Sequence, residues 1–213
     1  MKAIVIGGSG ATGKYLVRRL LADERFEEIV LLLRKPSAET HPKLKQVIVD
    51  FDKLHEYAEQ INGDVAFSCL GTTLKDAGSK EAQWKVDYDY QYNFAKIARQ
   101  NGITTFVLMS AQNADAKSAI FYSRMKGELE QAIELLGFEK LVIVQPGLLL
   151  RPDTDRFVEK ISAKILSVFN KMGLLKQYVP THVDRVAAAM IQHAVSGTSG
   201  IRRMKNNEIK NNL

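Results

Sequence analysis

The run Ala3-Ile4-Val5-Ile6 passes directly into Gly7-Gly8-Ser9-Gly10-Ala11-Thr12-Gly13-Lys14, and the next stretch sets Leu16, Val17, Leu20 and Leu21 on one helical stripe with Arg18 and Arg19 off it. An apolar strand, a glycine loop and an amphipathic helix thus follow one another without a gap. Such a loop leaves unpaired N–H groups at the helix N-terminus, where they attract an anion. Two phosphate-binding loops fit these eight residues. Gly8 with Gly13-Lys14 has Walker A spacing, but Tyr15 stands where a Ser or Thr must ligate magnesium. Gly7, Gly10 and Gly13 have the spacing of a dinucleotide loop, in which they make the tight turn, admit the pyrophosphate to the backbone and let helix pack on strand. The second reading lacks no ligand.

Outward from this unit, β-branched apolar runs alternate with stretches that repeat every three or four positions. Strands are expected at Ile29–Leu33, Val47–Val49, Val65–Cys69, Thr105–Met109 and Leu141–Val144. Between them a short helix starts with Asp52 as N-cap and buries Leu54 and Ile61. A long one, over about residues 83–100, buries Val86, Tyr90, Phe94 and Ile97, and a third runs from Tyr122 to Leu136 on Met125, Leu129 and Ile133. Beyond Pro146-Gly147 a helix of about residues 155–172 and a last helix from Thr181 are expected, with Thr181 and Asp184 at capping-box spacing. Right-handed crossovers between such units give an α/β fold, a three-layer, doubly wound parallel sheet with a small C-terminal helical region.

The 213 residues suit one domain spanning 1–213, with residues 148–182 as a small substrate-side insertion. Apolar residues at 46% and charged residues at 25% are globular values, which excludes a disordered or fibrous chain. No apolar run approaches the ~18–20 residues of a membrane helix, so a cytoplasmic protein without a membrane partner is expected. Half of the net charge of +6 lies in residues 201–213, which read as a basic tail, and elsewhere the two signs are interspersed. Nucleic acid is not an expected partner. The single Cys69 excludes an internal disulfide and any multi-cysteine metal site; it reads as a small buried side chain at a strand end. The four histidines have no spacing that suits a metal.

Three features carry chemistry besides the loop. The second strand ends in Leu33-Arg34-Lys35, where a basic residue accommodates a ribose 2′-phosphate and an acidic one holds the hydroxyl, so NADP is the expected cofactor. Asp50-Phe51, after the third strand, can hold and cover the adenine, or Asp50 can cap the helix that follows. Tyr122 and Lys126 stand four apart on one helical face, with Ser110 at the end of the fifth strand. A phenol titrates near pKa ~10 and donates protons poorly at neutral pH unless its phenolate is stabilised. A nearby ammonium does this, at ~1.4 kcal/mol for each unit of lowering.

In this order of parts the chain resembles the short-chain dehydrogenase/reductase superfamily, its atypical branch in particular. The resemblance rests on Gly7-x-x-Gly10-x-x-Gly13, Asp50-Phe51, Cys69-Leu70-Gly71-Thr72-Thr73, Val86-Asp87, Ser110, Tyr122-x-x-x-Lys126 and Pro146-Gly147. Ser68–Thr73 with Ala77-Gly78, and Phe121-Tyr122 with Lys126-Gly127-Glu128, are similar more narrowly to the oxidoreductases related to the HIV Tat-interactive protein. The resemblance implies an NAD(P)-binding Rossmann fold in which Ser9, Gly10, Ala11 and Thr12 hold the pyrophosphate, Arg34 and Lys35 the 2′-phosphate. It puts Leu70, Gly71, Thr72 and Leu149 on the ribose and nicotinamide side, with Lys126 also on that ribose, and makes Tyr122, Lys126 and Ser110 the catalytic residues. The chain departs from the family at Ser110-Ala111, where two serines are frequent and the second is commonly catalytic, and at Gln145, where an arginine is frequent. About 35 residues between Leu149 and the last helix are too few for the substrate lobe of sugar-nucleotide enzymes.

These observations point to an NADPH-dependent reductase for a small carbonyl or quinone-like acceptor, with Tyr122 as proton donor. The rival is a non-catalytic NADPH-binding regulator that acts through a protein partner. Monomer and homodimer both fit the sequence.

Overall fold

The computed structural model describes residues 1–150 and 180–211. Its frame is a seven-stranded sheet, and every strand pair in it is parallel. The strands are β1 (Lys2–Ile6), β2 (Glu28–Leu33), β3 (Leu44–Ile48), β4 (Val65–Ser68), β5 (Thr105–Met109), β6 (Lys140–Gln145) and, after the short strands β7 (Leu149–Leu150) and β8 (Thr181–His182), β9 (Gly200–Lys205). Their spatial order is β3-β2-β1-β4-β5-β6-β9, so the winding reverses between β1 and β4. That reversal opens a crevice at the C-terminal ends of these two strands, where the glycine loop lies.

Alternate side chains of β1 go to opposite cores. Ala3 and Val5 pack with α1 (Ala11–Ala22) and α6 (Val183–Val195), whereas Ile4 and Ile6 pack with the helices of the other face. Those are a 3-10 helix at Phe51–Gln60, α4 (Tyr90–Gln100) and α5 (Phe121–Glu134). Burial on both faces explains the continuous apolar runs of the central strands. Arg19 of α1 clasps Asp184 of α6 through two hydrogen bonds of 2.7 and 2.6 Å, which ties the two helices of one face together. Gly137, at φ +70°, stops the chain just after α5 in a conformation that only glycine adopts cheaply.

Several expectations are corrected. Asp50, not Asp52, caps the 3-10 helix, accepting the Asp52 N–H at 2.9 Å, because its extended backbone turns the carboxylate onto the first free amide. The single helix expected over residues 83–100 begins at Lys80 as α3 (Lys80–Trp84) and widens into a π turn at Lys85–Asp89 before α4; a short α2 (Leu74–Ala77) precedes it. The capping box at Thr181 does not form. Thr181 donates its hydroxyl to Asn206 at 2.7 Å, and Asp184 is taken by Arg19. The basic tail is in fact β9 followed by α7 (Asn206–Asn211). An edge strand with one buried side chain, Met204, and exposed Arg202 and Arg203 shows no apolar run by which to read it. The helix expected over residues 155–172 lies outside the described residues.

Candidate functional site

The glycine loop is shaped by the protein's own backbone at two positions and not at the third. Gly7 has φ +74°, and a Cβ there would stand 2.4 Å from the Cys69 carbonyl carbon and 2.5 Å from the Leu70 amide nitrogen. A Cβ on Gly13 would stand 2.1 Å from the Gly7 carbonyl oxygen. These glycines let β4 and α1 close on the turn. A Cβ on Gly10 would meet only the Gly7 oxygen, at 3.2 Å, among the described residues, and would otherwise project outward from an exposed residue. Internal packing therefore makes no strong demand for glycine at 10, whereas a ligand resting on the backbone does.

Gly10 is also the N-cap of α1 and has no side chain to satisfy the first amides. The buried Thr12 hydroxyl has no hydrogen-bond partner among the described residues. Exposed Ser9 and half-buried Ala11 complete the cradle. Orphan amides, an unpartnered hydroxyl and room for a close approach suit the pyrophosphate of a dinucleotide. At the end of β2, next to β1 in the sheet, Arg34 and Lys35 are exposed, and neither makes an ion pair or hydrogen bond to a described residue. Of the two residues expected at the adenine, Asp50 is used as the helix cap and Phe51 is buried against Tyr90, with ring centroids 5.4 Å apart. Phe51 is thus turned into the core, whereas the exposed Asp50 commits one carboxylate oxygen to the cap.

From the loop a chain of contacts leads to the tyrosine and lysine. Gly7 abuts Cys69 and Leu70; a Cβ on the next residue, Gly71, would lie 3.5 Å from Asp87 Oδ1; and that oxygen lies 2.8 Å from Lys126 Nζ. Lys126 in turn sits with its ammonium 5.9 Å from the ring centroid of Tyr122, one turn earlier on α5. Lys126 is only 2% exposed while Tyr122 is 40% exposed, so the cation is internal and the phenol faces outward. Gly127 makes this helix placement possible: a Cβ there would strike Ala116 and Asp115 of the preceding loop at 2.1–2.7 Å. Thr72, half-buried, gives its N–H to Asp87 at 2.8 Å and accepts from Gln83 at 3.2 Å through its carbonyl. Leu149 pairs with Thr181 in β7 and packs its half-buried side chain on the core.

Ser110 belongs to a different cluster. Its hydroxyl donates to the Glu130 carboxylate, which also receives the Gln145 amide at 3.0 and 3.1 Å. Arg203 of β9 lies 3.7 Å from the same carboxylate and pairs with Glu134. Glu130 is 4% exposed, and burial pushes its carboxyl above the usual range against the opposing pull of Ser110 and Gln145. Polar residues at helical spacing give no sign of which one a neighbouring strand will cover. Cys69 is buried with Sγ 3.9 Å from Met190 Sδ, and burial pushes its thiol up to about 12, which leaves no thiolate for redox chemistry at neutral pH.

Comparison with known proteins agrees with this geometry. Residues 7–167 match a family model described as NAD(P)H-binding. The chain is 34% identical over 209 residues to protein HTATIP2 of Rattus norvegicus, covering 96% of this chain and 85% of that one. It is 35% identical over 205 residues to the protein fmp52, mitochondrial, of Emericella nidulans, covering 92% and 88%. Among solved structures, MoeE5 in complex with UDP-glucuronic acid and NAD superposes with a TM-score of 0.73 at 16% identity, over 96% of this chain and 75% of that one. A short chain dehydrogenase family protein from Francisella tularensis gives 0.69 at 15% identity over 98% of both chains. Phosphate loop, switch-point topology and sequence relatives agree: the chain belongs to the NAD(P)H-binding family, on a Rossmann fold.

Proposed function

We propose that this chain is an NADP-dependent oxidoreductase that reduces a small carbonyl or quinone-like acceptor, with Tyr122 as its proton donor. The observation that carries this reading is the unbroken series from Gly7 through Gly71 and Asp87 to the internal Lys126 and the outward-facing Tyr122. It joins a phosphate cradle to an acid–base group through adjoining residues. The bound nicotinamide supplies the hydride. The amides of Ser9, Ala11 and Thr12 hold the pyrophosphate, with Gly10, whose own N–H closes the turn onto the Gly7 carbonyl at 3.0 Å, leaving room for it; Arg34 and Lys35, which no described residue engages, are available to a 2′-phosphate. Lys126 keeps a positive charge below the Tyr122 ring, and Tyr122 gives its proton to the acceptor oxygen.

Turnover of NADPH with a panel of carbonyls and quinones tests this, using Tyr122→Phe as the diagnostic variant. The ring and its packing survive while the ionisable hydroxyl is lost, so cofactor affinity holds and turnover falls by ~10²–10⁴-fold. Wild-type turnover in Tyr122→Phe removes Tyr122 as the donor.

A second reading, an NADPH-binding regulator without turnover, is favoured by one observation: the Ser110 hydroxyl is engaged by Glu130 rather than facing a substrate oxygen. Tight NADPH binding with no acceptor reduced selects it. Among the described residues no helix is long and apolar enough to cross a membrane. Cytoplasmic residence is part of our proposal, and since fungal relatives are named mitochondrial, a fluorescent fusion in the native cell decides the compartment.

A further inference from the structure

Asp87 occupies the π turn at Lys85–Asp89, where the helix widens and the backbone departs from regular spacing. Such turns are rare and often occur at functional positions. Its two carboxylate oxygens serve different elements. Oδ1 lies 2.8 Å from Lys126 Nζ on α5, and Oδ2 accepts the Thr72 N–H at 2.8 Å from the loop that follows β4. The aspartate and the lysine are 1% and 2% exposed, so the charges are withdrawn from water and each depends on the other. Behind them, Gln91 donates to the Asp87 carbonyl at 2.7 Å, and Ser68 at the end of β4 donates to Gln91 at 2.7 Å. Gln83 secures the Thr72 carbonyl at 3.2 Å. This arrangement is far more elaborate than a lysine needs merely to be neutralised.

We infer that Asp87 is a positioning residue for the nicotinamide half of the cofactor. One carboxylate sets the distance between the Lys126 ammonium and the Leu70–Thr72 backbone, so two elements that flank the nicotinamide ribose are held as a single preformed unit. This rests on the cofactor reading above. The adenosine half lies by the Gly10 loop and Arg34, which Asp87 does not touch, and the two halves can therefore be tested separately.

The experiment compares NADPH with 2′,5′-ADP, which keeps the phosphate-bearing adenosine half and lacks the nicotinamide ribose. Affinities are measured by fluorescence and calorimetric titration on wild type, Asp87→Asn, Lys126→Met and the double variant. Asp87→Asn is expected to weaken NADPH at least about tenfold while 2′,5′-ADP stays within about twofold, and to add little once Lys126 is already Met. Equal loss for both ligands, or an undiminished effect of Asp87→Asn beside Lys126→Met, overturns the inference. Where Asp87→Asn fails to fold, Asp87→Glu keeps the charge, shifts it by one methylene and is expected to give the same split. A wild type that binds neither ligand overturns the cofactor reading and this inference with it, whereas a wild type that binds both, with no split in the variants, overturns this inference alone.

Discussion

The Ser110 hydroxyl donates to the Glu130 carboxylate, and the two residues are 5% and 4% exposed. Gln145 approaches the same carboxylate at 3.0 Å, and Arg203 stands 3.7 Å away, so the ends of β5 and β6 meet α5 and the edge strand β9 at one acidic group. The serine expected on a substrate oxygen is thereby part of an internal joint.

Ser110→Ala should therefore act on stability before it acts on chemistry. Loss of a hydrogen bond to a charged group removes ~1.5–3 kcal/mol, read by urea denaturation. Turnover of a substrate found by screening should change by less than about fivefold, since no transition-state contact is lost. A hundredfold fall in kcat at unchanged stability would put the hydroxyl on the substrate after all.

The pH dependence of stability follows from Glu130. Burial raises its carboxyl in the folded chain, so the fold takes up a proton that the unfolded chain has released. The corresponding stabilisation is complete below the ordinary glutamate range, near pH ~4.3, and is lost as pH rises through the elevated folded value. Glu130→Gln cannot ionise. Its stability relative to wild type should improve between pH 4 and 7 in denaturation curves, and a gap that stays constant across that range would contradict the assignment.

Two glycines of one loop should behave in opposite ways. Gly13→Ala brings a Cβ to 2.1 Å from the Gly7 oxygen and should destabilise the fold by ~1–3 kcal/mol or more. Gly10→Val, which projects outward from the loop, should keep the melting temperature close to that of wild type and abolish NADPH binding. Unchanged affinity in a folded Gly10→Val protein would refute the pyrophosphate site.

Arg34→Ala tests which cofactor is read. A charge-assisted hydrogen bond to a 2′-phosphate is worth ~1.5–3 kcal/mol, so NADPH should bind ~10–100-fold more weakly while NADH, which lacks that group, is unaffected. Equal weakening of both would mean that Arg34 does not read the phosphate.

Several features were determined by the sequence alone. The glycine spacing at 7, 10 and 13, the apolar runs of the central strands and the i, i+4 placement of Tyr122 and Lys126 are local properties, set by backbone sterics and by periods of 2.0 and 3.6 residues, and the parallel doubly wound sheet follows from their alternation. What depends on which surfaces meet was decided only by the tertiary structure. Asp50 and Phe51 look like an adenine site in isolation, yet Asp50 also serves the 3-10 helix as its cap and Phe51 packs inward against Tyr90. Asp87 is one of three acidic or phenolic residues in Asp87-Tyr88-Asp89, and only the wide turn aims it at Lys126. Arg203, read as part of a charged tail, is pinned beside Glu130 and Glu134 because β6 offers β9 an open edge to pair with. A charged side chain carries no periodic signal of burial; its environment comes from partners distant in sequence, which the fold brings together.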